Sequence, residues 1–348
     1  MNSSLLHVNG TFSCPAEPQS IIIPIFLILV FLGGFILNSA SLWIFWFRIP
    51  RWNTGMILQF HLALSDAMVT PAAPFMAIYY SLGSHWPFGP FLCQLKVFLL
   101  STHLYSSIYF LMLISVHRYV AVVHYSRVSR MKSKEFVHKL CLGVWFFLFI
   151  KGTAFFFVLE TSQVGNHTKC LSIYQDQLTS VYFILNFVLL VPGFLVPFVI
   201  SVTCYSLLVS SVSKMKTNTL KGKVIKTKSL KMIAVCMSIF VACFTPLHVA
   251  RTLGVVVKRF FPSSCALLTQ VESAYYISWT LAGANCCLDP LLYCFGSEKF
   301  NESFKSSLNR IGFRFHRPAA PRGRDSTSQS MTTRAGTTGL QKACRLTA

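Results

Sequence analysis

The sequence predicts an all-α membrane protein, a bundle of seven transmembrane helices followed by a short amphipathic helix on the inner membrane surface. Hydrophobic residues make up 53% of the 348 residues and charged residues only 12%, a balance that is too apolar for a soluble domain. The apolar residues also fall in blocks that can each cross about 30 Å of hydrocarbon, which takes roughly 20 residues of helix. The predicted spans are Ile21–Phe47, Met56–Tyr80, Leu95–Val123, Phe136–Leu159, Leu178–Ser211, Ser229–Val257 and Thr269–Phe295.

The positions of the basic residues orient this bundle. The net charge is +21, and 24 of the 31 lysine and arginine residues lie in the first short connection and in segments 124–139, 214–231 and 299–345. These segments share one face of a chain that crosses seven times, and the positive-inside rule makes that face cytoplasmic. Lipid headgroups are therefore the expected partners of the basic excess. Nucleic acid is not an expected partner, because the basic tail lacks interleaved aromatic residues.

The opposite face is predicted to lie outside the cell. The glycosylation sequons at Asn2, Asn9 and Asn166 all fall in segments that the charge rule places outside. The start "MNSSLLHVNG" has neither a basic region nor an apolar core, so no cleaved signal peptide is expected. The predicted organisation is an extracellular tail over 1–20, the bundle over 21–295, the membrane-surface helix over 296–310 and a disordered cytoplasmic tail over 311–348.

Four cysteines are predicted to lie on the oxidising side, namely Cys14, Cys93, Cys170 and Cys265. An even set in that environment favours two disulfides, although spacing alone allows three connectivities. A bridge between Cys93, at the top of the third span, and Cys170 would hold the second outer loop over the bundle. Cys14 and Cys265 would then join the amino terminus to the third outer loop.

Signature residues or short motifs in each of the seven spans carry a resemblance to a known family. In chain order they are Asn38, Asp66, "HRY", Trp145, Pro197, "CFTPLHVAR" and "LDPLLY". This ordered set resembles the rhodopsin-type (class A) G-protein-coupled receptors over nearly the whole chain except its tails. The stretches "HWPFG", "LYSSIYFLMLIS" and "KTKSLKMI", with the Cys14–Cys265 pair, resemble its purinergic and lysophospholipid-type branch. The resemblance implies a plasma-membrane receptor that activates heterotrimeric G proteins and binds an anionic nucleotide, phospholipid or carboxylate.

Cationic and aromatic side chains near the outer side predict a ligand pocket. His248 and Arg251 are three residues apart on one helix face, and Lys96 and Lys169 are predicted nearby. Aromatic residues would line the same region: Tyr105, Tyr109, Tyr275, Tyr276 and Trp279. Such a pocket suits a small molecule with an acidic head and an apolar body. Lys151 in the fourth span could join the pocket or extend to the outer membrane interface.

Ionisable residues at mid-membrane depth are costly and therefore candidates for function. Asp66 and Asp289, with Ser107 and Asn285, offer carboxylate and neutral oxygen ligands that suit a small hard cation. The resemblance places the family's sodium pocket at these residues, so sodium is a candidate metal ion at Asp66 and Asp289; no other cofactor is expected. The alternative is a protonated, hydrogen-bonded polar core that holds no ion.

The "HRY" motif, His117-Arg118-Tyr119, is the expected G-protein coupling site. The family motif has an acid before the arginine, but His117 cannot balance a guanidinium because it is either neutral or positively charged. The start of the sixth span offers only lysines, so we expect Arg118 to be held by hydroxyls, carbonyls or water. Elevated basal signalling would follow, unless His117 is a neutral variant with little effect.

Three classes of function are weighed against one another. The Ser/Thr-rich tail "RDSTSQSMTTRAGTTG" resembles a docking region for receptor kinases and arrestin, and it favours a signalling receptor. A non-signalling decoy or scavenger receptor would share the fold and could exploit the altered "HRY" motif. An enzyme is not expected, and a seven-span transporter is less favoured, because the ten histidines are too scattered to form a metal or nucleophile site.

Overall fold

A computed structural model describes residues 6–8, 11–14, 22–124, 129–158, 161–164, 167–170, 179–214 and 220–310 of the chain. The predicted glycosylation sites Asn2, Asn9 and Asn166 lie outside the described residues, as does the tail over 311–348. Within the described ranges the protein is a helical bundle, which confirms the predicted fold class.

The helices follow the predicted spans closely. Span one is α1 (Ile22–Trp43) with a π-helical turn (Ile44–Arg48), span two is α2 (Thr54–Met68) and α3 (Ala72–Ser81), span three is α4 (Gly89–Val123), and span four is α5 (Lys134–Val158) after a 3-10 turn (Arg130–Lys132). Span five is α6 (Thr179–Leu190), a π-helical turn (Val191–Leu195) and α7 (Val196–Ser213); span six is α8 (Leu220–Ser238), a π-helical turn (Ile239–Phe244) and α9 (Thr245–Phe260).

Span seven differs from the others because Ala284 divides it into α10 (Cys265–Gly283) and α11 (Asn285–Gly296). Among the described residues, six helical segments are long and apolar enough to cross a membrane by themselves, and these are spans one to six. The seventh completes its crossing as two shorter helices in sequence. The predicted surface helix over 296–310 is α12 (Glu298–Arg310) in the structure.

Prolines account for the widened turns in spans five and six. Pro192 lies within the π-helical turn of span five, and Pro246 follows that of span six. A proline has no N–H group and clashes with the preceding turn, so the helix must widen or bend there. The backbone N–H of Thr245 donates to the carbonyl of Phe240, and the hydroxyl of Thr245 donates to the same carbonyl at 2.9 Å, so this acceptor beside the wide turn has two donors.

Spans one and seven approach each other closely at Gly34. A Cβ atom on Gly34 would lie 2.1 Å from the sulfur of Cys286, so only glycine allows this approach. One turn further along, the side-chain amide of Asn38 donates to the carbonyl of Cys286 at 2.7 Å and to that of Gly34 at 3.0 Å. The amide thereby joins the two helices at the level where α11 begins.

Two disulfides tie the outer loops to the bundle. Cys93 is bonded to Cys170, and Cys14 is bonded to Cys265, so the predicted pairing is confirmed. Cys170 ends strand β4 (His167–Cys170), which pairs antiparallel with β3 (Thr161–Val164); a second hairpin, β1 (Leu6–Val8) and β2 (Thr11–Ser13), precedes Cys14. The backbone N–H of Trp86 also donates to the carbonyl of Thr168 at 2.7 Å, which fixes β4 above span three.

The surface helix α12 is anchored by one apolar side. Phe300 is fully buried, and its ring centroid lies 4.8 Å from that of Phe45 in span one. Phe304 stacks on Phe300, whereas Lys299 and Lys305 are exposed. The helix therefore packs its aromatic side against the bundle and turns basic side chains outward, as an amphipathic helix at a membrane surface does.

Candidate functional site

A cavity of about 220 Å³ lies between the helices on the outer side, and Cys170 of the outer disulfide forms part of its wall. Much of the wall is apolar, with Leu27 and Phe31 from span one and Leu100 and Leu104 from span three. The predicted ligand-binding residues that line it are Lys96, Tyr105, Arg251, Tyr275, Tyr276 and Trp279. A mostly apolar cavity with a few converging polar groups is typical of a small-molecule site.

Arg251 is held in the cavity wall by two neighbouring helices. Its Nε donates to Oδ1 of Asn186 at 3.0 Å, and its Nη2 donates to the hydroxyl of Tyr105 at 2.8 Å. The Asn186 side chain is itself fixed, because its Nδ2 donates to the hydroxyl of Thr252 at 3.1 Å. These contacts fix the guanidinium in one orientation while they engage only two of its five N–H groups.

The position of Tyr105 depends on a glycine in span five. A Cβ atom on Gly193 would lie 2.4 Å from Cε1 of the Tyr105 ring, which is closer than real Cβ contacts come. Gly193 belongs to the widened turn beside Pro192, so the same irregularity that bends span five also admits the ring. The local sequence "VPGF" therefore determines where Tyr105 presents its hydroxyl to Arg251.

Lys96 lies below the outer loop, between the disulfide and two aromatic rings. Its Nζ is 3.5 Å from the carbonyl of Cys170, 4.8 Å from the ring centroid of Trp86 and 5.3 Å from that of Tyr79. Only 7% of the residue is exposed. Aromatic faces attract a cation, so these rings keep a second positive charge in the cavity wall.

Three predicted ligand-binding residues do not line this cavity. The buried ring of His248 stacks on Phe194 with centroids 4.2 Å apart, and its Nδ1 is 2.9 Å from the carbonyl of Phe244. Tyr109 donates its hydroxyl to the carbonyl of Pro192 at 2.9 Å. Lys169 is buried in β4. In the loop, burial lowers the pKa of the Lys169 ammonium, and the negative charge of Glu272 opposes that shift.

Glu272 is a cavity residue that the sequence reasoning missed. It lies in α10, is only 3% exposed and lines the cavity. A sequence signal existed, because Glu272 precedes Tyr275 by three residues and Tyr276 by four, which places all three on one helix face. The cavity thus contains a carboxylate as well as cations, and a ligand with a hydrogen-bond donor would meet it.

A polar cluster lies deeper, between spans two, three and seven. Oδ1 of Asp66 accepts a hydrogen bond from Ser107 at 3.3 Å and lies 3.4 Å from Nδ1 of His103; Nδ2 of Asn285 donates to Oδ2 of Asp289 at 3.3 Å. Three further buried oxygens, Asp66 Oδ2, Asn285 Oδ1 and Asp289 Oδ1, have no hydrogen-bond partner within the described part of the chain. His103 is a member that the sequence reasoning did not identify.

The inner end of span three has an unusual set of contacts. Nη2 of Arg118 donates to the carbonyl of Gly296 at 2.9 Å, and Nε2 of His117 lies 2.8 Å from the hydroxyl of Thr54. In the described ranges no carboxylate forms an ion pair with Arg118. The prediction that a neutral acceptor holds Arg118 is therefore confirmed. Tyr119 interacts instead with His124, whose Nε2 lies 3.1 Å from its hydroxyl.

The start of span six contacts the surface helix. Lys228 of α8 forms an ion pair with Glu298, the first residue of α12. The hydrogen bond and the positive charge of Lys228 lower the pKa of the Glu298 carboxyl. Glu298 is exposed and Lys228 is partly exposed, so the pair contributes little stability, but it joins the start of span six to α12.

The chain has clear relatives among characterised proteins. Residues 37–293 match the family model described as 7 transmembrane receptor (rhodopsin family). The chain is 34% identical over 293 residues to purinoceptor 4 of Mus musculus, a match that covers 83% of this chain and 80% of the relative. It is 35% identical over 280 residues to purinoceptor 2 of Homo sapiens (80% and 74%) and 32% identical over 294 residues to human lysophosphatidic acid receptor 6 (82% and 85%).

Proposed function

Because the chain belongs to the rhodopsin family of seven-transmembrane receptors, we propose that it binds a small anionic ligand in its outer cavity and activates heterotrimeric G proteins. It is a multi-pass receptor of the plasma membrane with its amino terminus outside the cell. Its role is to transmit a signal rather than to catalyse a reaction. The anionic nature of the ligand must be supported by the residues that line the cavity.

The position of Arg251 is the observation that best supports an anionic ligand. Its guanidinium lies in a mostly apolar wall, is fixed by Tyr105 and Asn186, and has N–H groups that bond to no acceptor among the described residues. Hydrogen bonds between a guanidinium and a carboxylate or phosphate are strong and specific, more so where water is scarce. Lys96 adds a second cation to the same cavity. Two of the relatives are named purinoceptors and one is named for lysophosphatidic acid, which agrees with an anionic ligand.

The other residues of the cavity wall indicate what the rest of the ligand should be like. Leu27, Leu100, Leu104 and Trp279 offer apolar surface next to the cations, so an apolar or aromatic body fits beside the acidic head. Glu272 would disfavour a second acidic group on its side of the cavity and would accept a hydrogen bond from a donor. A nucleotide, a lysophospholipid, a fatty-acid derivative or another carboxylate would meet these requirements.

We propose that the deeper polar cluster holds a sodium ion between spans two, three and seven. Asp66 and Asp289 would supply charged oxygens, and Ser107 and Asn285 neutral ones, which is the ligand type that a small hard cation prefers. The buried oxygens without hydrogen-bond partners fit this role. A bound sodium ion would offset one of the two negative charges and stabilise the arrangement of the three spans. Protonation of the carboxylates is the alternative.

The proposed cytoplasmic partners contact two regions. The G protein would meet His117, Arg118 and Tyr119 at the inner end of span three. Receptor kinases and arrestin would bind the Ser/Thr-rich segment within 311–348, which lies outside the described residues.

On the outer side, glycans would be attached at Asn2, Asn9 and Asn166. These three asparagines also lie outside the described residues.

Nucleotide exchange on purified G proteins tests the proposed function. The full-length receptor in lipid nanodiscs would be mixed with each G-protein class and with uridine and adenine nucleotides, lysophosphatidic acid and a set of fatty-acid and dicarboxylate probes. We expect at least one anionic probe to accelerate exchange. Binding of a probe without any exchange on any G protein would instead support a decoy receptor.

A further inference from the structure

Lys151 of span four directs its amino group into the bundle. Its Nζ lies 2.7 Å from the hydroxyl and 3.4 Å from the carbonyl of Ser101 in span three. The same atom lies 3.7 Å from the ring centroid of Tyr105. The ammonium therefore points between spans three and four instead of extending to the outer membrane interface. A cation inside a membrane span is costly to keep and is a candidate for function.

Tyr105 links this lysine to the ligand-binding arginine. Lys151 lies over the face of the ring, while the hydroxyl of the same ring accepts a hydrogen bond from Arg251 at 2.8 Å. Two positive groups from spans four and six thus meet on one tyrosine of span three. Like charges repel strongly where the dielectric constant is low, so an anion that binds near both groups would be attracted by both.

The ring between the two cations has little freedom to move. Gly193 lies against one edge of the ring, Lys151 lies over its face, and Arg251 holds its hydroxyl. Ser101, which Lys151 contacts, lines the cavity one helical turn before Tyr105. Lys151 does not itself line the cavity, so any effect on a ligand must pass through the field of its charge and through the orientation of Tyr105.

We propose that Lys151 is a positioning residue for anion recognition: through Tyr105 it orients Arg251, and its charge makes the cavity prefer anions. The inference rests on the proposed function of the outer cavity and extends it to a residue behind the cavity wall. A ligand with an acidic group relieves the repulsion between the two cations as it binds. Neutral molecules of the same shape gain nothing from that relief, so Lys151 sharpens the choice of ligand.

A labelling experiment tests this without a known ligand. Val255 lines the cavity one turn beyond Arg251, and Val255→Cys provides a thiol there. The purified full-length receptor is labelled with anionic sulfonatoethyl or cationic trimethylammonioethyl methanethiosulfonate, and labelling of the receptor without the added cysteine is subtracted. The ratio of the two rates reports the electrostatic potential in the cavity. We expect the anionic reagent to be favoured, and Arg251→Ala to lower the ratio several-fold.

Variants of Lys151 then separate charge from packing. Lys151→Met keeps the length of the side chain without its charge, and Lys151→Gln keeps a donor for Ser101; both should lower the ratio several-fold, while Lys151→Arg should preserve it. Lys231→Met, at the inner end of span six, is the matched control and should have no effect. The melting temperature of each purified variant identifies any variant that fails to fold. If one neutral variant of Lys151 fails to fold, the labelling ratio of the other neutral variant tests the proposal.

Each outcome separates the inference from the function on which it rests. A ratio that falls with Arg251→Ala but not with Lys151→Met or Lys151→Gln overturns the role of Lys151 and leaves the anion-binding cavity intact. A ratio that falls equally with Lys151→Arg and Lys151→Met shows a packing role and also overturns it. A ratio that does not change with Arg251→Ala contradicts the proposed function itself.

Discussion

The guanidinium of Arg118 donates a hydrogen bond to the backbone carbonyl of Gly296, which ends α11. The free carbonyls at the end of a helix carry partial negative charge and favour a cation. Next to Arg118, His117 contacts the hydroxyl of Thr54 at the start of span two. Span three is therefore joined to spans two and seven at its inner end by a hydroxyl contact and a carbonyl contact, neither of which involves a carboxylate.

Basal signalling should fall when an acid is restored before Arg118. His117→Asp would place a carboxylate next to Arg118, which should stabilise the resting state by about 0.5–1.5 kcal/mol. Such a shift lowers a minor active population several-fold. The measurement is agonist-free nucleotide exchange in membranes at matched expression. Unchanged or higher basal exchange would contradict the expectation that an acid before Arg118 stabilises the resting state.

Gly296→Ala should raise basal signalling. A Cβ atom there would lie 2.1 Å from Nε2 of Gln59 and 2.7 Å from Nη2 of Arg118, so the Arg118–Gly296 contact must shift. Gly143→Ala is the control, because a Cβ on Gly143 meets no atom within 4 Å. The same agonist-free assay applies, with cell-surface expression measured in parallel. Equal basal rates in both variants would mean that this contact does not restrain activation.

The two disulfides should differ in what they support. Cys93→Ser or Cys170→Ser should strongly reduce the amount of receptor at the cell surface, because this bridge fixes β4 above span three. Cys14→Ser or Cys265→Ser should lower agonist affinity more than surface expression. Surface labelling of intact cells checks the ranking, and the same loss in all four variants would refute it.

The sequence predicted the architecture well because hydropathy and charge act over whole helices. Apolar block lengths and the basic segments determine the spans and their orientation without knowledge of packing, whereas the spacing of the outer cysteines leaves three connectivities open. The prediction that Arg118 meets a neutral acceptor followed from the histidine before it and from the absence of acidic residues at the predicted start of the sixth span. The acceptor of Arg118, Gly296, could not be named, because 178 residues separate the partners.

The site was predicted less completely because it depends on how each helix is rotated and where it bends. Gly193 and the widened turn of span five make room for the Tyr105 ring. No periodic pattern in the sequence predicts such a local approach between two spans. For Lys151, the sequence left the choice between the bundle and the membrane interface open, and the structure turns the side chain inward. His248 shares a helix with Arg251 but packs on Phe194 outside the cavity lining.

Concentration–response curves for nucleotide exchange show whether Arg251 binds the acidic head of an activating ligand. Wild-type receptor, Arg251→Ala and the control Arg259→Ala, at the exposed outer end of α9, would be compared with the anionic probe that activates the wild type. We expect Arg251→Ala to weaken potency by about 1.5–3 kcal/mol at near-normal surface expression, because a charge-assisted hydrogen bond is lost. Arg259→Ala should leave potency unchanged. Equal potency in all three receptors would contradict the proposed role of Arg251.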